Sequence, residues 1–319
     1  MSNIGSYFGV KRAKLNRHYK KHSSGFKDWD QIEHATDYLL FAGNLGAYLS
    51  IDEVSLSQGE LYTFVTNKAG KGRTGTLVAA IKGTLSKDII AVLEKLSLDK
   101  RLEVKEITLD MAKNMESAVK TVFPKATLVT DRFHVVKLAM DAMQHIRINH
   151  RWEELEVENK AIEKAKKEGV KYQPEVLKNG DTPKQLLARC RYILAKKPKN
   201  RTINQQERAA ILFARYPKIE AAYKQTLAFR NIYEDRNKES AKIRFTNWIK
   251  EIMDEEVTEF YTVAHTVKNN LDNILNFFIN RNTNANAESF NSKIKLFRAN
   301  QRGVVDTKFF LFRLQKLYA

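Results

Sequence analysis

The chain has 319 residues, of which 43% are hydrophobic, and its 55 Lys and Arg against 37 Asp and Glu give a formal net charge of +18. This hydrophobic content can build a core, which excludes a wholly disordered chain, and the positive charge favours a polyanion as partner. The single cysteine, Cys190, excludes an internal disulfide and a cysteine-based zinc finger. No signal peptide or membrane-spanning apolar run is evident, so we expect a cytoplasmic, nucleoid-associated protein without a membrane partner.

Residues 1–46 form a basic segment with scattered aromatic side chains. The stretch 4–21 resembles the second half of a helix-turn-helix, with Gly9 in the turn and with Val10 and Leu15 facing a core. A basic amphipathic connector is the alternative interpretation, and the sequence favours it, because a complete motif needs a preceding helix and Met1 comes too early for one.

Residues 47–149 carry the patterns of the first part of an α/β core. Extended apolar patterns occur around Asp52, over 62–66 and over 77–81, with turn signals between them. They predict three consecutive antiparallel strands. Glu53, next to Asp52, should point to the opposite face of its strand and have a supporting role.

Helices and strands alternate over the rest of this segment. Helical spacing of apolar residues appears over 89–96, a fourth strand ends at Asp110, a helix follows over 111–122, and a fifth strand ends at Asp131. Three strands, a helix, a strand, a helix and a strand is the order of a ribonuclease-H-like fold. We therefore predict an α/β fold with a mixed five-stranded sheet flanked by helices, in which the first and fourth strands are neighbours.

Residues 150–280 are predicted to form a large all-helical insertion. The segment 182–185 combines a capping box with proline at the first helical position. Asn204 begins a second pattern that resembles a capping box, and Pro217 starts a further helix. No strand pattern is convincing here.

Residues 281–319 are expected to be the closing helices of the core. Helical spacing places Glu288, Asn291 and Lys295 on one polar face. An acid, an amide and a cation on one face suit a metal–phosphate site, in which Asn291 would be an accessory residue. The apolar stretch 309–317 should pack back on the sheet. The opposite face of the first closing helix should also be buried, with Phe290, Ile294 and Phe297.

Three acids stand out by their settings. Asp52 and Asp110 end up on neighbouring predicted strands, and Glu288 lies on the polar helix face. Carboxylates that lie close together repel one another, and divalent cations remove that cost. Such a cluster suits Mg²⁺ held against nucleic-acid phosphates.

Each acid also has a simpler interpretation. Asp110 could be the N-cap of the helix that follows it, and Glu288 could be a solvated charge. Asp131 competes with Asp110 for the second metal position. Asp131 and His134 could form a supporting pair, or an N-cap beside a buried histidine, and the spacing slightly favours the N-cap.

With these motifs in this order, the chain resembles the DDE transposases of bacterial insertion sequences, in their ISL-type group. The resemblance covers roughly residues 48–318 and depends on four segments taken together. They are Ile51-Asp52-Glu53; Leu109-Asp110-Met111; Phe123-Pro124 running into Asp131-Arg132-Phe133-His134; and Thr283-Asn284 through Glu288 and Asn291 to Lys295, followed by Arg302-Gly303.

The resemblance implies a ribonuclease-H-like catalytic domain with a helical insertion before the last acid. It implies that Asp52, Asp110 and Glu288 are the catalytic acids and bind two Mg²⁺ ions, for which Mn²⁺ can substitute. It also makes Asp131 and His134 the family's accessory motif. The implied activity is phosphodiester hydrolysis at insertion-sequence ends, followed by attack of the freed 3′-hydroxyl on target DNA.

The implied partner is double-stranded DNA, both the terminal repeats of the element and the target. Bringing two ends together predicts a homodimer. Many relatives begin with a zinc module and helix-turn-helix domains, so we expect that the recognition module is a separate polypeptide here or was lost. Phosphate contacts position DNA without specifying its sequence. The cations expected to make them are Arg132, Arg281, Lys293, Lys295, Arg298 and Arg302.

Two other functions fit the same fold. One is a catalytically silent DNA-binding protein derived from a transposase, and the intact set of three acids argues against it. The other is a nuclease that hydrolyses DNA without joining strands. The fold does not separate these enzymes, whereas a strand-joining product would.

Overall fold

Residues 6–57, 59–254, 258–281 and 285–319 are described in the computed structural model, with the side chains of residues 57 and 285–288 left out. The chain divides into two compact units. The first unit is Met1–Asp131 with Asn282–Ala319, and the second is Arg132–Arg281. All strands in the described part of the chain lie in the first unit.

A single mixed sheet forms the centre of the first unit, with strand order β1-β4-β3-β2-β5-β6. Strand β2 pairs with β3, β3 with β4 and β4 with β1 in antiparallel fashion, whereas β2–β5 and β5–β6 are parallel. The α/β class, the mixed sheet and the pairing of the predicted first and fourth strands are confirmed. The strands are β1 (Tyr38–Leu40), β2 (Tyr48–Ser57), β3 (Glu60–Asn67), β4 (Leu77–Lys82), β5 (Glu106–Leu109) and β6 (Thr127–Thr130).

Strand β1 adds a sixth member to the five predicted strands. It has three residues, too few for an alternation pattern to be recognised. Tertiary pairing defines it, because Tyr38, Leu39 and Leu40 lie opposite residues 79–81 of β4.

Helices cover the sheet of the first unit and build the second unit. The described α-helices in chain order are α1 (Arg12–His18), α2 (Ser86–Leu93), α3 (Leu98–Leu102), α4 (Lys113–Val122), α5 (Arg132–Lys167), α6 (Pro183–Arg189), α7 (Ile203–Arg215), α8 (Pro217–Ile232), α9 (Lys238–Asp254), α10 (Tyr261–Asn269), α11 (Leu271–Leu275), α12 (Phe277–Asn280), α13 (Ala285–Asn300) and α14 (Thr307–Tyr318). None of them has the length and hydrophobicity needed to cross a bilayer.

The two faces of the sheet bury separate cores. Ile51 of β2 packs in the core that includes α2 and α4, represented by Leu93 and Val119. Val54 of β2 belongs to the opposite core, which α13 and α14 close. Successive strand residues alternate between the two faces of a sheet, so β2 contributes side chains to both cores.

The closing helices pack as their apolar patterns predict. Phe290 and Ile294 of α13 are fully buried, and Phe297 packs partly buried against the same core. Leu311 and Leu314 of α14 are also fully buried there. This packing fixes α13 over the face of the sheet that Val54 occupies.

The N-terminal helix α1 contributes little to either core. It buries none of its residues, and Val10 and Leu15 are only half-buried, in contrast to the core positions that the helix-turn-helix pattern gives them. Gly9 has a φ of +63°, which fits the expected turn.

The regular secondary structure in the described part of the second unit is all helical. Helix α5 runs without interruption through residue 150, where the sequence pattern placed the start of the insertion. The predicted capping box of Thr182 and Gln185 is present. The second one lies two residues before the predicted Asn204, because the Thr202 hydroxyl and the Gln205 amide form it.

Candidate functional site

Parallel strand pairing lines up three aspartates across β2, β5 and β6. Ser50 pairs with Thr108, so the same register two residues further along places Asp52 beside Asp110. Leu109 pairs with Thr130, which places Asp110 beside Asp131. The backbone N–H of Asp131 donates to the carbonyl of Leu109 at 2.8 Å and extends that ladder. Residues distant in sequence therefore become neighbours at one row of the sheet.

The carboxylate of Asp52 accepts hydrogen bonds from the backbone of its own strand and from a closing helix. The backbone N–H of Glu53 donates to its Oδ1 at 2.8 Å. The side-chain amide of Asn291, on α13, donates to its Oδ2 at 2.5 Å. Asn291 is 8% exposed. Strand β2 and helix α13 thus meet at the carboxylate of Asp52.

Glu288 lies in α13, three residues before Asn291. Residues three apart on a helix share a face, so its backbone position is one turn from the contact with Asp52. Its side chain is outside the described residues, and its role as third acid stays a prediction.

Asp110 directly follows β5 and precedes α4. Its Oδ1 accepts a hydrogen bond from the backbone N–H of Ala112 at 2.8 Å. The N-cap of α4 is Ala112, with no side-chain cap, so Asp110 does not fill the N-cap role that was its alternative interpretation. Instead it forms a local turn that fixes one carboxylate oxygen at the end of the strand.

The charges of Asp52 and Asp110 affect the pKa of Glu53. Burial raises the pKa of its carboxyl group, and the negative charges of Asp110 and Asp52 raise it further. Sequence alternation placed Glu53 on the opposite strand face, in a supporting role. Its electrostatic coupling to two acids on neighbouring strands shows that it shares their local field.

Lys68 is a buried cation in the same unit that the sequence did not single out. Its ammonium group donates to Glu106 Oε1 at 3.1 Å and to Thr108 Oγ1 at 2.5 Å. Burial lowers the pKa of Lys68, while the charges of Glu106 and Asp131 act in the opposite direction. A lysine in a turn after a strand gives no periodic signal, so only the fold reveals this pair.

The accessory candidates belong to different units of the chain. Asp131 is 2% exposed and is the last residue of this part of the first unit. Arg132 and His134 belong to α5 in the second unit. Within that unit, the guanidinium of Arg132 lies 5.4 Å from the centre of the Tyr233 ring.

Three of the cations predicted to contact DNA are exposed beside Glu53. Lys295 and Arg302 line one groove together with Glu53 and Arg298. The guanidinium of Arg298 also donates to the carbonyl of Ser55 at 2.9 Å, which ties α13 to β2. This groove presents three cations next to the row of acids.

The other predicted cations make contacts within their own units. The ammonium group of Lys293 donates to the carbonyl of Gly72 at 2.6 Å. The guanidinium of Arg281 donates to the carbonyls of Tyr233 and Asp235. Both side chains therefore bind backbone carbonyl groups of the protein.

The donor chemistry of the site fits a hard divalent cation. Asp52 and Asp110 supply carboxylate oxygens, which Mg²⁺ prefers. Among the side chains that the structure describes, no three His, Cys, Asp or Glu gather closely enough to hold a metal ion. The third predicted ligand, Glu288, is not among those side chains.

A comparison with protein-family models gives a match over most of the chain. The family model of ISL3-type DDE transposases, described as "Transposase", matches residues 49–314. No curated protein matches the chain. No solved structure matches it either.

Proposed function

Because the chain belongs to the ISL3-type family of DDE transposases, we propose that it cuts DNA at the ends of an insertion sequence and joins the freed 3′-hydroxyl to target DNA. The family performs DNA transposition, as DDE-type polynucleotidyl transferases that generally use divalent metals. The proposal adds the chemical steps and the residues that carry them in this chain.

The observation that carries the proposal is the hydrogen bond from Asn291 to Asp52. It brings the helix that contains Glu288 onto the strand that contains Asp52, and the register of β5 brings Asp110 to the same row. This supports Asp52, Asp110 and Glu288 as one set of metal ligands. Asp131 and His134 remain proposed accessory residues.

The three acids would hold two Mg²⁺ ions, for which Mn²⁺ can substitute. When bound, divalent cations would neutralise charge on the scissile phosphate. The role of the protein is then to fix the carboxylates before DNA arrives. Asn291 would do so by holding Asp52 in one rotamer, because a carboxylate bound from one side has fewer orientations available.

DNA would be held by the cationic groove beside Glu53. The groove is lined by Lys295, Arg298 and Arg302. One arginine guanidinium group can donate two parallel hydrogen bonds to the oxygens of a phosphate. We propose that terminal repeats and target DNA both contact this groove. Two element ends require two catalytic units, which favours a homodimer.

The experiment that tests the proposal is Mg²⁺-dependent cleavage of DNA that carries an element end. Wild type is compared with Glu288→Gln and with the control Glu94→Gln, which removes one exposed carboxylate at the end of α2. We expect Glu288→Gln to bind the DNA as wild type does and to cut it at least about 100-fold more slowly. The control should cut at the wild-type rate.

A second readout separates a transposase from a nuclease. A labelled 3′ end should become joined to plasmid target DNA in the wild-type reaction. Equal cutting by Glu288→Gln and wild type would overturn the assignment of the acids, and cutting without any joined product would overturn the strand-transfer step.

A further inference from the structure

The helical unit contains a pocket that gathers three arginines. Arg147 and Arg151 reach it from α5, and Arg191 reaches it from the segment that follows α6. All three belong to the second unit, and none is among the cations that the sequence motifs indicate.

Arg147 is a buried cation held by neutral groups. It is 5% exposed, its Nε donates to Gln144 Oε1 at 2.6 Å, and its Nη1 donates to the carbonyl of Leu187 at 3.0 Å. Burial lowers the pKa of Arg147, and the positive charges of Arg191 and Arg151 lower it further. A buried charge crowded by like charges is costly unless an anion pairs with it.

The carboxylate that lines the pocket is already paired with another cation. Asp141 lines the pocket, and its carboxylate accepts a hydrogen bond from the ammonium group of Lys137 at 2.9 Å. Burial raises the pKa of the Cys190 thiol to about 12, so this thiol is neutral near pH 7. The pocket is therefore strongly cationic and suited to an anion such as a phosphate group, which guanidinium groups bind through paired hydrogen bonds.

An exposed tryptophan lies at the same pocket. Trp152 is 61% exposed, whereas Trp29 and Trp248 are 5% and 2% exposed. Next to Arg191, Tyr192 is 73% exposed, and the guanidinium of Arg191 lies 5.5 Å from the centre of its ring. Aromatic rings beside phosphate-binding cations are the arrangement on which unpaired bases stack.

We propose that this pocket binds single-stranded DNA, with backbone phosphates at Arg147, Arg151 and Arg191 and a base stacked on Trp152. Paired duplex DNA hides the faces of its bases, so the indole ring selects an unpaired segment. This inference extends the proposed function, because strand cleavage and joining expose unpaired DNA. The helical unit would then bind single-stranded DNA by itself.

Intrinsic fluorescence tests the contact with Trp152. The full chain is titrated with a single-stranded oligonucleotide and with the same sequence as a paired duplex. We expect the single strand to quench the exposed indole and the duplex to leave it nearly unchanged. Trp152→Phe should abolish the quenching while its circular dichroism spectrum stays that of wild type, since the side chain is exposed.

Charge removal tests the arginines. Arg151→Gln with Arg191→Gln is compared with a control on α5, Lys160→Gln with Lys167→Gln, which also removes two exposed positive charges. The arginine variant should bind the single strand more weakly and reduce the slope of log K against log salt by about 1.4, which is two phosphate contacts at about 0.7 each. The control should keep the wild-type affinity and slope.

Three outcomes separate this proposal from the proposed function. The proposed binding of single-stranded DNA at this pocket is overturned if quenching persists in Trp152→Phe. It is also overturned if the arginine variant and its control lose the same affinity for the single strand. Wild-type cleavage of end DNA together with such a result leaves the proposed function standing. Quenching that needs Trp152 and both arginines, in a chain that does not cut end DNA with Mg²⁺, supports the pocket and overturns the proposed function.

Discussion

The side-chain amide of Asn291 donates a hydrogen bond to the carboxylate of Asp52, although 239 positions separate the two residues in the chain. This contact joins the first long strand of the sheet to the helix that returns after the helical unit. It makes the orientation of Asp52 depend on α13. Substitutions at Asn291 should therefore affect activity more than stability.

Asn291→Ala removes the donor to Asp52 and should lower the cleavage rate about 10–100-fold, the range found when a group supporting a metal ligand is lost. Asn291→Asp should lower it further, because a second carboxylate beside Asp52 repels it. The measurement is single-turnover cleavage of end DNA with Mg²⁺. Wild-type rates in both variants would mean that the contact does not organise the site.

Lys68→Met should destabilise the first unit by about 3–5 kcal/mol, because it leaves the carboxylate of Glu106 buried without this cation. The double variant Lys68→Met with Glu106→Leu should recover most of that loss, since it removes both charges. Urea denaturation measures the free energy of unfolding of each variant. A loss below about 1 kcal/mol for Lys68→Met would contradict a buried ion pair.

Glu116 should stabilise α4 only while it is ionised. Hydrogen bonds from Lys120 and Lys113, at 2.8 and 2.9 Å, lower the pKa of its carboxyl group from 4.5 to about 2. A lowered pKa in the folded state gives stability above pH 4.5 that is lost as the pH falls towards 2. Glu116→Gln should therefore cost at most about 1 kcal/mol near neutral pH and less near pH 3.

Urea denaturation of wild type and Glu116→Gln at these two pH values checks this dependence. Glu94→Gln, an exposed position, serves as the control and should differ little from wild type at either pH. A difference between wild type and Glu116→Gln that grows as the pH falls would have the opposite sign to the one expected.

Thr202→Ala should destabilise the second unit by about 1 kcal/mol, because the Thr202 hydroxyl accepts a hydrogen bond from the backbone N–H of Gln205 at 3.4 Å. Asn204→Ala is the matched control, since Asn204 is exposed inside α7 and should change stability by less than about 0.5 kcal/mol. Thermal denaturation compares the two. A larger loss for Asn204→Ala would place the cap where the sequence pattern put it.

The sequence predicts the parts of the fold that repeat with a period. Alternation around Asp52 and helical spacing in α13 each reflect burial of one face, so they identify β2 and the buried pair Phe290 and Ile294. Strand β1 is not predicted, because its three residues are too few to show an alternation pattern. Its pairing with β4 in the folded protein defines it as a strand.

Some features of the site depend on contacts between residues that are distant in the chain, and the local sequence shows no pattern for such contacts. The order of strands predicts that Asp52 and Asp110 are neighbours, and the observed pairing of Ser50 with Thr108, two residues before each of them, supports this prediction. Lys68 and Arg147 carry no such signal, because each becomes noteworthy only when folding buries its charge. The bond between Asn291 and Asp52 likewise follows from the packing of α13, although the sequence places Asn291 on the face of Glu288.

If the proposed function is right, Asp52, Asp110 and Glu288 bind the same divalent ions. Fe²⁺ can take the place of Mg²⁺ at carboxylate oxygens and, with ascorbate and peroxide, cleaves the polypeptide near its ligands. We predict cuts near residues 52, 110 and 288 together, suppressed by Mg²⁺ and absent in Asp52→Asn. Cuts near 52 and 110 with none near 288, or cuts that persist in Asp52→Asn, would contradict a shared metal site of these three acids.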